Sequence, residues 1–177
     1  MVNGPDPFGI TLVVRLLVSL DLLDADGLLC HGVGISHEGR GALFVGQSGA
    51  GKSTLGELCH RADLFRHSDE LVGARLMETG AMIEGTPWNI GQPGTAQLKM
   101  IGILAHGRDH RVDDVPASEV LRVLLRNALV PDSDPSTRHR MFSIASQLLS
   151  RVRTVRLTFA KDQNVADVLR RELSRTQ

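Results

Sequence analysis

The segment Gly46-Gln47-Ser48-Gly49-Ala50-Gly51-Lys52-Ser53 restricts the folds open to this chain more than any other. Three glycines between positions 46 and 51 make a regular helix or strand costly there, because their backbone freedom must be surrendered on folding. Leu43-Phe44-Val45 before it has strand composition and Lys52 to Arg61 after it reads as a helix, so the segment is a strand-to-helix turn. Glycines at such a turn let successive N–H groups converge at a helix N-terminus, where the dipole favours an anion. The spacing satisfies G-x-x-x-x-G-K-[ST] in full, the pattern of a loop that wraps phosphates. Gly46, Gln47, Ser48, Gly49, Ala50, Gly51, Lys52, Ser53 and the following Thr54 are therefore the expected nucleotide-binding residues. Lys52 is expected to reach the β and γ phosphates of ATP or another nucleoside triphosphate, and Ser53 to place its hydroxyl on Mg²⁺.

Bound phosphates need a group that activates the acceptor. Ser68-Asp69-Glu70 is the nearest candidate, since one helix and one short extended segment after the loop return the chain to the same end of a sheet. Asp69 can take a proton from an attacking hydroxyl, and Asp69 or Glu70 can hold the metal through water. Of the basic residues, Lys99, Arg108, Arg111 and Arg122 are candidates for a charge-stabilising cation, and the sequence does not choose among them.

The rest of the chain fits one domain. At 177 residues it is long enough for a sizeable core and short for two, which gives a loose terminus over 1–9 and a single domain over 10–177. Ile10 to Leu20 accommodates a strand or a buried helix, and its β-branched content favours the strand. Leu28 to Ser36 reads as a strand with Leu29, His31, Val33 and Ile35 on one face. His37 to Gly41 then has hairpin chemistry leading into Ala42 to Val45. Leu71 to Met77 and Ala81 to Glu84 form a second hairpin around Glu78-Thr79-Gly80. Gly85 to Gln97 is an irregular loop containing Trp88, and Leu98 to Leu104 returns to strand. Two helices capped by Ser118 and Ser136 flank the breaker Pro131-Asp132-Ser133-Asp134-Pro135, and a strand over Thr154 to Phe159 precedes a last helix over Asn164 to Leu173. The expected fold is α/β, a central mixed sheet with flanking helices and the site at strand ends near the glycine loop.

Lys+Arg and Asp+Glu balance at 20 each, which removes the overall positive charge expected of a nucleic-acid binder. Cys30 and Cys59 show no metal or disulfide spacing, and the apolar N-terminal run is broken by Arg15 and Asp21. The expectation is a cytoplasmic protein without membrane or nucleic-acid partners.

His31-Gly32-Val33 on a strand, a hairpin entering Gly-x-Ser-Gly-x-Gly-Lys-Ser, and an acidic pair soon after the helix together resemble the catalytic domain of the HPr kinase/phosphorylase family. That family is related to the nucleotide domain of ATP-dependent phosphoenolpyruvate carboxykinases. The resemblance covers Leu28 to about Val72. It implies that Asp69 is the base for serine phosphorylation, that Glu70 stands where a second aspartate usually follows, and that His31 lies by the active site. It also implies a possible homo-oligomer and a magnesium-dependent kinase that moves the ATP γ-phosphate to a hydroxyl of a protein or peptide. A small-metabolite hydroxyl kinase and a slowly hydrolysing or non-catalytic nucleotide-binding regulatory module are the alternatives. The family's Glu-x-Arg-Gly-x-Gly segment and separate N-terminal domain are not found in the sequence, which puts phosphorylase activity and HPr as substrate in doubt.

Overall fold

The computed structural model describes residues 7–88, 90–129 and 134–175, with the side chains of 7 and 8 left aside. The chain runs α1 (Pro7–Asp24), β1 (Gly27–His37), β2 (Arg40–Val45), α2 (Lys52–Arg61), β3 (Phe65–Ser68), β4 (Leu71–Leu76), β5 (Ala81–Glu84) and β6 (Thr95–His106). β7 (Arg111–Asp114), α3 (Ala117–Asn127), α4 (Pro135–Arg151), β8 (Arg153–Phe159) and α5 (Asn164–Ser174) follow. The strands form one mixed sheet. β1 pairs antiparallel with β2 and β4, β5 joins β4 to β6, and β6 runs parallel to β2, so these pairings close a ring. Beyond the ring, β6 continues in parallel register with β8.

Local chemistry accounts for much of this. Glu38 and Gly39 both have positive φ, 49° and 74°, the two-residue turn whose twist matches a β1–β2 hairpin. Inside the ring the space is narrow: a Cβ on Gly41 would lie 2.5 Å from Cγ2 of Ile83, so only glycine fits there. One core lies between the sheet and the amphipathic helices α3 and α4, with Leu124, Ile144 and Leu148 at its centre. A second, on the other side, is built from Phe44, Leu55, Phe159 and Leu169 and holds α2 and α5. The glycine loop emerges between β2 and α2, where β2 is flanked by β1 and β6.

Several expectations are corrected. The run Ile10 to Leu20 is not a strand but part of helix α1. β1 is flanked by β2 over Gly32–His37 and by β3 and β4 on the other side, and its remaining edge at Leu29 and Cys30 is met by Ala128 and Leu129 after α3, which leaves no run of that edge for a further strand. Its leucine-rich sequence serves a helix equally well, and Leu22 packs with Leu29 and Leu71 while the Ser19 hydroxyl donates to the Leu129 carbonyl at 3.0 Å. Ser118 is not a cap: α3 begins after Pro116, without a side-chain cap. Nor is Ser136: α4 is capped by Asp134, whose carboxylate accepts from the backbone N–H of Ser136 and Thr137, with Pro135 at the first position, where no N–H is needed. β7 was not anticipated, because Arg-Val-Asp-Asp has no strand signal of its own and is recruited by pairing with the edge of β8. The strand expected at Leu98 to Leu104 extends over Thr95–His106. Of the expected loose terminus 1–9, residues 1–6 lie outside the described residues, as do Pro131 to Ser133 of the breaker, while residues 7–9 are not loose but open helix α1.

Candidate functional site

The loop keeps its shape through two left-handed glycines. Gly49 has φ +81° and Gly51 φ +96°, and Gly51 is the N-cap of α2, a helix start with no side-chain cap, so its first N–H groups are not claimed by a capping side chain. The space at Gly51 is closed on the protein side, because a Cβ there would stand 2.9 Å from Cζ of Phe159. His106, at the end of β6, holds the far side of the loop with Nε2 3.1 Å from the Gly49 carbonyl.

Lys52 is buried, and its ammonium donates to the carbonyls of Gly46 at 2.7 Å and Gln47 at 3.0 Å. Burial lowers its pKa, since removing the charge from water disfavours the ammonium form. Four residues on, Gly56 shares the inward face of α2. A Cβ on Gly56 would lie 3.3 Å from Cβ of Asp69, so this glycine lets the acidic corner seat directly against the helix, one turn from Lys52. The corner itself is fixed twice. The Ser68 hydroxyl accepts from the N–H groups of Glu70 and Leu71 at 3.1 and 3.2 Å, and the Gly32 N–H donates to the Glu70 carbonyl at 3.0 Å. Asp69 is thus buried beside the strand residue that follows His31.

A cavity of about 650 Å³ opens between these elements, lined by Ser48, Gly49, Gly51, Lys52, Ser53, Thr54, His31 and Asp69, together with Leu12, Arg15, Leu71, the last residues of α3, Arg126 and Asn127, and Ala128 and Leu129 after it. Of the residues singled out in sequence, His31, Asp69, Lys52, Ser53 and Thr54 are brought together here. His31 has its pKa lowered, first by desolvation and then by the Lys52 ammonium, with Glu70 and Asp69 pulling it back up. It is a neutral-leaning imidazole at the cavity wall.

Glu70 is placed differently from the metal role expected of it. Its Oε1 accepts from Arg15 at 2.7 Å, while the Arg15 guanidinium lies 5.7 Å from the ring centroid of Trp88. Trp88 packs against the Leu22–Leu29–Leu71 cluster and props Arg15 instead of forming a cavity wall. Mg²⁺ prefers hard oxygen donors, and the Ser53 hydroxyl and Asp69 carboxylate, both on the cavity, fit that preference.

None of the four basic candidates reaches the cavity. Arg108 lines a separate surface pocket with Asp162 and Arg170, Arg111 pairs with Asp113 at 2.9 Å, and Lys99 and Arg122 lie on β6 and α3 away from it. Its arginines are Arg15 and Arg126. Arg15 had one signal in sequence, a lone charge inside an apolar run; Arg126, Gly56 and His106 had none, because each reaches the site only through packing between distant elements.

Comparison with known proteins yields no matching family model and no match among curated proteins. Among solved structures, the HPr(Ser) kinase/phosphatase from Coxiella burnetii is similar with a TM-score of 0.44 and 9% identity, over 81% of this chain and 95% of that one. A likeness of that size assigns neither a residue nor a reaction.

Proposed function

We propose that this chain binds Mg²⁺-complexed ATP at the glycine loop and transfers its γ-phosphate to a hydroxyl, of the serine type, on a protein or peptide, as HPr kinases do. The observation that carries the reading is the single cavity on which Lys52, Ser53, His31 and Asp69 all open. A buried ammonium whose partners among the described residues are backbone carbonyls has paid a desolvation cost that a phosphate oxygen would offset. The uncapped start of α2 offers N–H donors and a positive dipole end to the same phosphates. Ser53 and Asp69 would hold Mg²⁺, which would supply neutralisation of charge on the phosphate oxygens when bound. Asp69 accepts the proton of the acceptor hydroxyl as that oxygen bonds to Pγ and the bond from Pγ to the β–γ bridging oxygen breaks, releasing ADP. His31 lies beside both groups, where a near-neutral imidazole can orient the carboxylate without adding a charge.

The test is transfer from γ-labelled ATP to seryl peptides and proteins, with ADP release measured in parallel over hydroxylated metabolites. Asp69→Asn is expected to keep nucleotide affinity and to lose about 10²- to 10⁴-fold in transfer, the usual contribution of a general base. Undiminished transfer in that variant removes Asp69 as the base. Label appearing only on a metabolite corrects the acceptor class, and label appearing only as inorganic phosphate replaces the kinase with a nucleotide-hydrolysing module.

A further inference from the structure

Helix α1 is apolar on two faces. Leu22, Leu23 and Ser19 face the protein, but Ile10, Val13, Val14, Leu17 and Leu20 are 50%, 55%, 43%, 59% and 44% exposed. At 100° per residue these five fall within an arc of roughly 120°. A helix that is hydrophobic all round normally lies in an interior. These five residues present on the order of 400 Å² of apolar surface, as much as the largest patch that a typical lone chain leaves uncovered.

The pattern of the stripe names its occupant. Ile10, Val13, Leu17 and Leu20 follow the 3-4-3 spacing of a helix-pairing seam, and no charged residue interrupts them; the charges on that face, Asp21 and Asp24, come only at its end. The geometry points to a second copy of this chain, packed α1 against α1 about a two-fold axis with the helices antiparallel. A parallel pair would set Asp21 and Asp24 against their own copies. An antiparallel pair sets them near the partner's helix N-terminus, where negative charge is favoured. Centred between Val13 and Leu17, the antiparallel register joins Val13 to Leu17 and Ile10 to Leu20, each two positions of one seam. Doubling the stripe gives roughly 800 Å² of buried surface, and the exposed Asp21 and Asp24 on the same face carry the contact towards the roughly 1,000 Å² of a specific interface. A membrane surface is the poorer fit, because interfacial helices carry Lys and Arg on their polar face, whereas the one basic residue of α1, Arg15, is bonded to Glu70. The pairing would also brace Leu12 and Arg15 against the cavity that α1 helps to line. This inference does not depend on the reaction proposed above.

Equilibrium sedimentation of the full chain, from about 1 to 100 µM so as to bracket ordinary dimer affinities, tests it. The expected mass is twice the 19.2 kDa of one chain, falling to one chain in Leu17→Glu with the thermal unfolding midpoint retained, since that side chain is mostly exposed. Phe142→Glu, an exposed apolar residue on α4, should leave the dimer intact. Under oxidation, a mixture of Val13→Cys and Leu17→Cys chains should form the mixed disulfide in preference to either homodisulfide; Cys30 and Cys59 are buried and do not compete. A monomer at every concentration overturns the inference, as does a dimer that survives both Leu17→Glu and Val13→Glu. Preferred Leu17→Cys homodisulfides overturn the antiparallel arrangement, and binding of the monomer to phosphatidylcholine/phosphatidylglycerol vesicles, abolished by Leu17→Glu, replaces the second copy with a membrane.

Discussion

Replacing Gly51 by alanine separates the two demands that the loop makes on its backbone. At φ +96° the residue is in the left-handed region, which costs an L side chain about 1–2 kcal/mol wherever it occurs. At Gly51 the new methyl would also stand 2.9 Å from Cζ and 3.4 Å from Cε1 of Phe159, inside the 3.5–4.0 Å of a good carbon contact. Phe159 is itself fully packed between α2 and α5, so it can yield only by disturbing the core, an overpacking cost of about 1–3 kcal/mol. Together the two terms come to roughly 2–5 kcal/mol, which for a chain of this size lowers the melting temperature by about 5–15 °C. Gly49 provides the control: its φ is +81°, but nothing lies within 4 Å of a Cβ placed there. Gly49→Ala should therefore show only the backbone cost of about 1–2 kcal/mol. Calorimetry of both variants measures the difference, and titration with ATP measures its consequence, which should be larger for Gly51→Ala because the start of α2 must move. Equal melting temperatures for the two variants would refute the role given to Phe159, and an unchanged melting temperature in Gly51→Ala would refute the conformation of the loop.

Other outcomes follow from the same geometry. Lys52→Ala should weaken ATP binding roughly 10- to 150-fold, the worth of one charge-assisted hydrogen bond, as read by isothermal titration. Arg126→Ala should reduce phosphoryl transfer while Arg108→Ala leaves it unchanged, since only the former lines the cavity; equal rates for both would exclude Arg126 from the site. His67 is buried, with Nε2 2.9 Å from the Ser36 hydroxyl, and desolvation takes its pKa from 6.5 down to about 4. The folded state therefore binds its proton less readily than the unfolded chain. The stability is fully present above pH 6.5 and is lost as the pH falls towards 4, by about 3 kcal/mol. Urea unfolding at several pH values should show that slope, and His67→Gln should flatten it.

The parts of the protein that were legible in the sequence are those whose causes are local. The glycine loop, helix α2, both hairpins and the acidic corner follow from side chains a few residues apart, and their positions agree with the structure to within a residue or two. The apolar spacing of α4 was likewise readable: Met141, Ile144, Ala145, Leu148 and Leu149 are all buried, because helical periodicity is written into consecutive residues. Even the juxtaposition of Asp69 with the loop was foreseeable, as one helix and one short strand can only return the chain to the same end of the sheet. Tertiary structure decided the rest. Nothing near Ile10 to Leu20 distinguishes strand from helix; the edges of β1 do, since β2, β3, β4 and the residues Ala128 and Leu129 already occupy them. β7 exists because β8 has an edge to offer, and Glu70 is turned towards Arg15 because α1 lies across it. Arg15 and Arg126, 111 positions apart, line one cavity only when α1 and α3 have packed on the same sheet. Such contacts arise from competition for surface among distant segments, a global balance that no short window of residues contains.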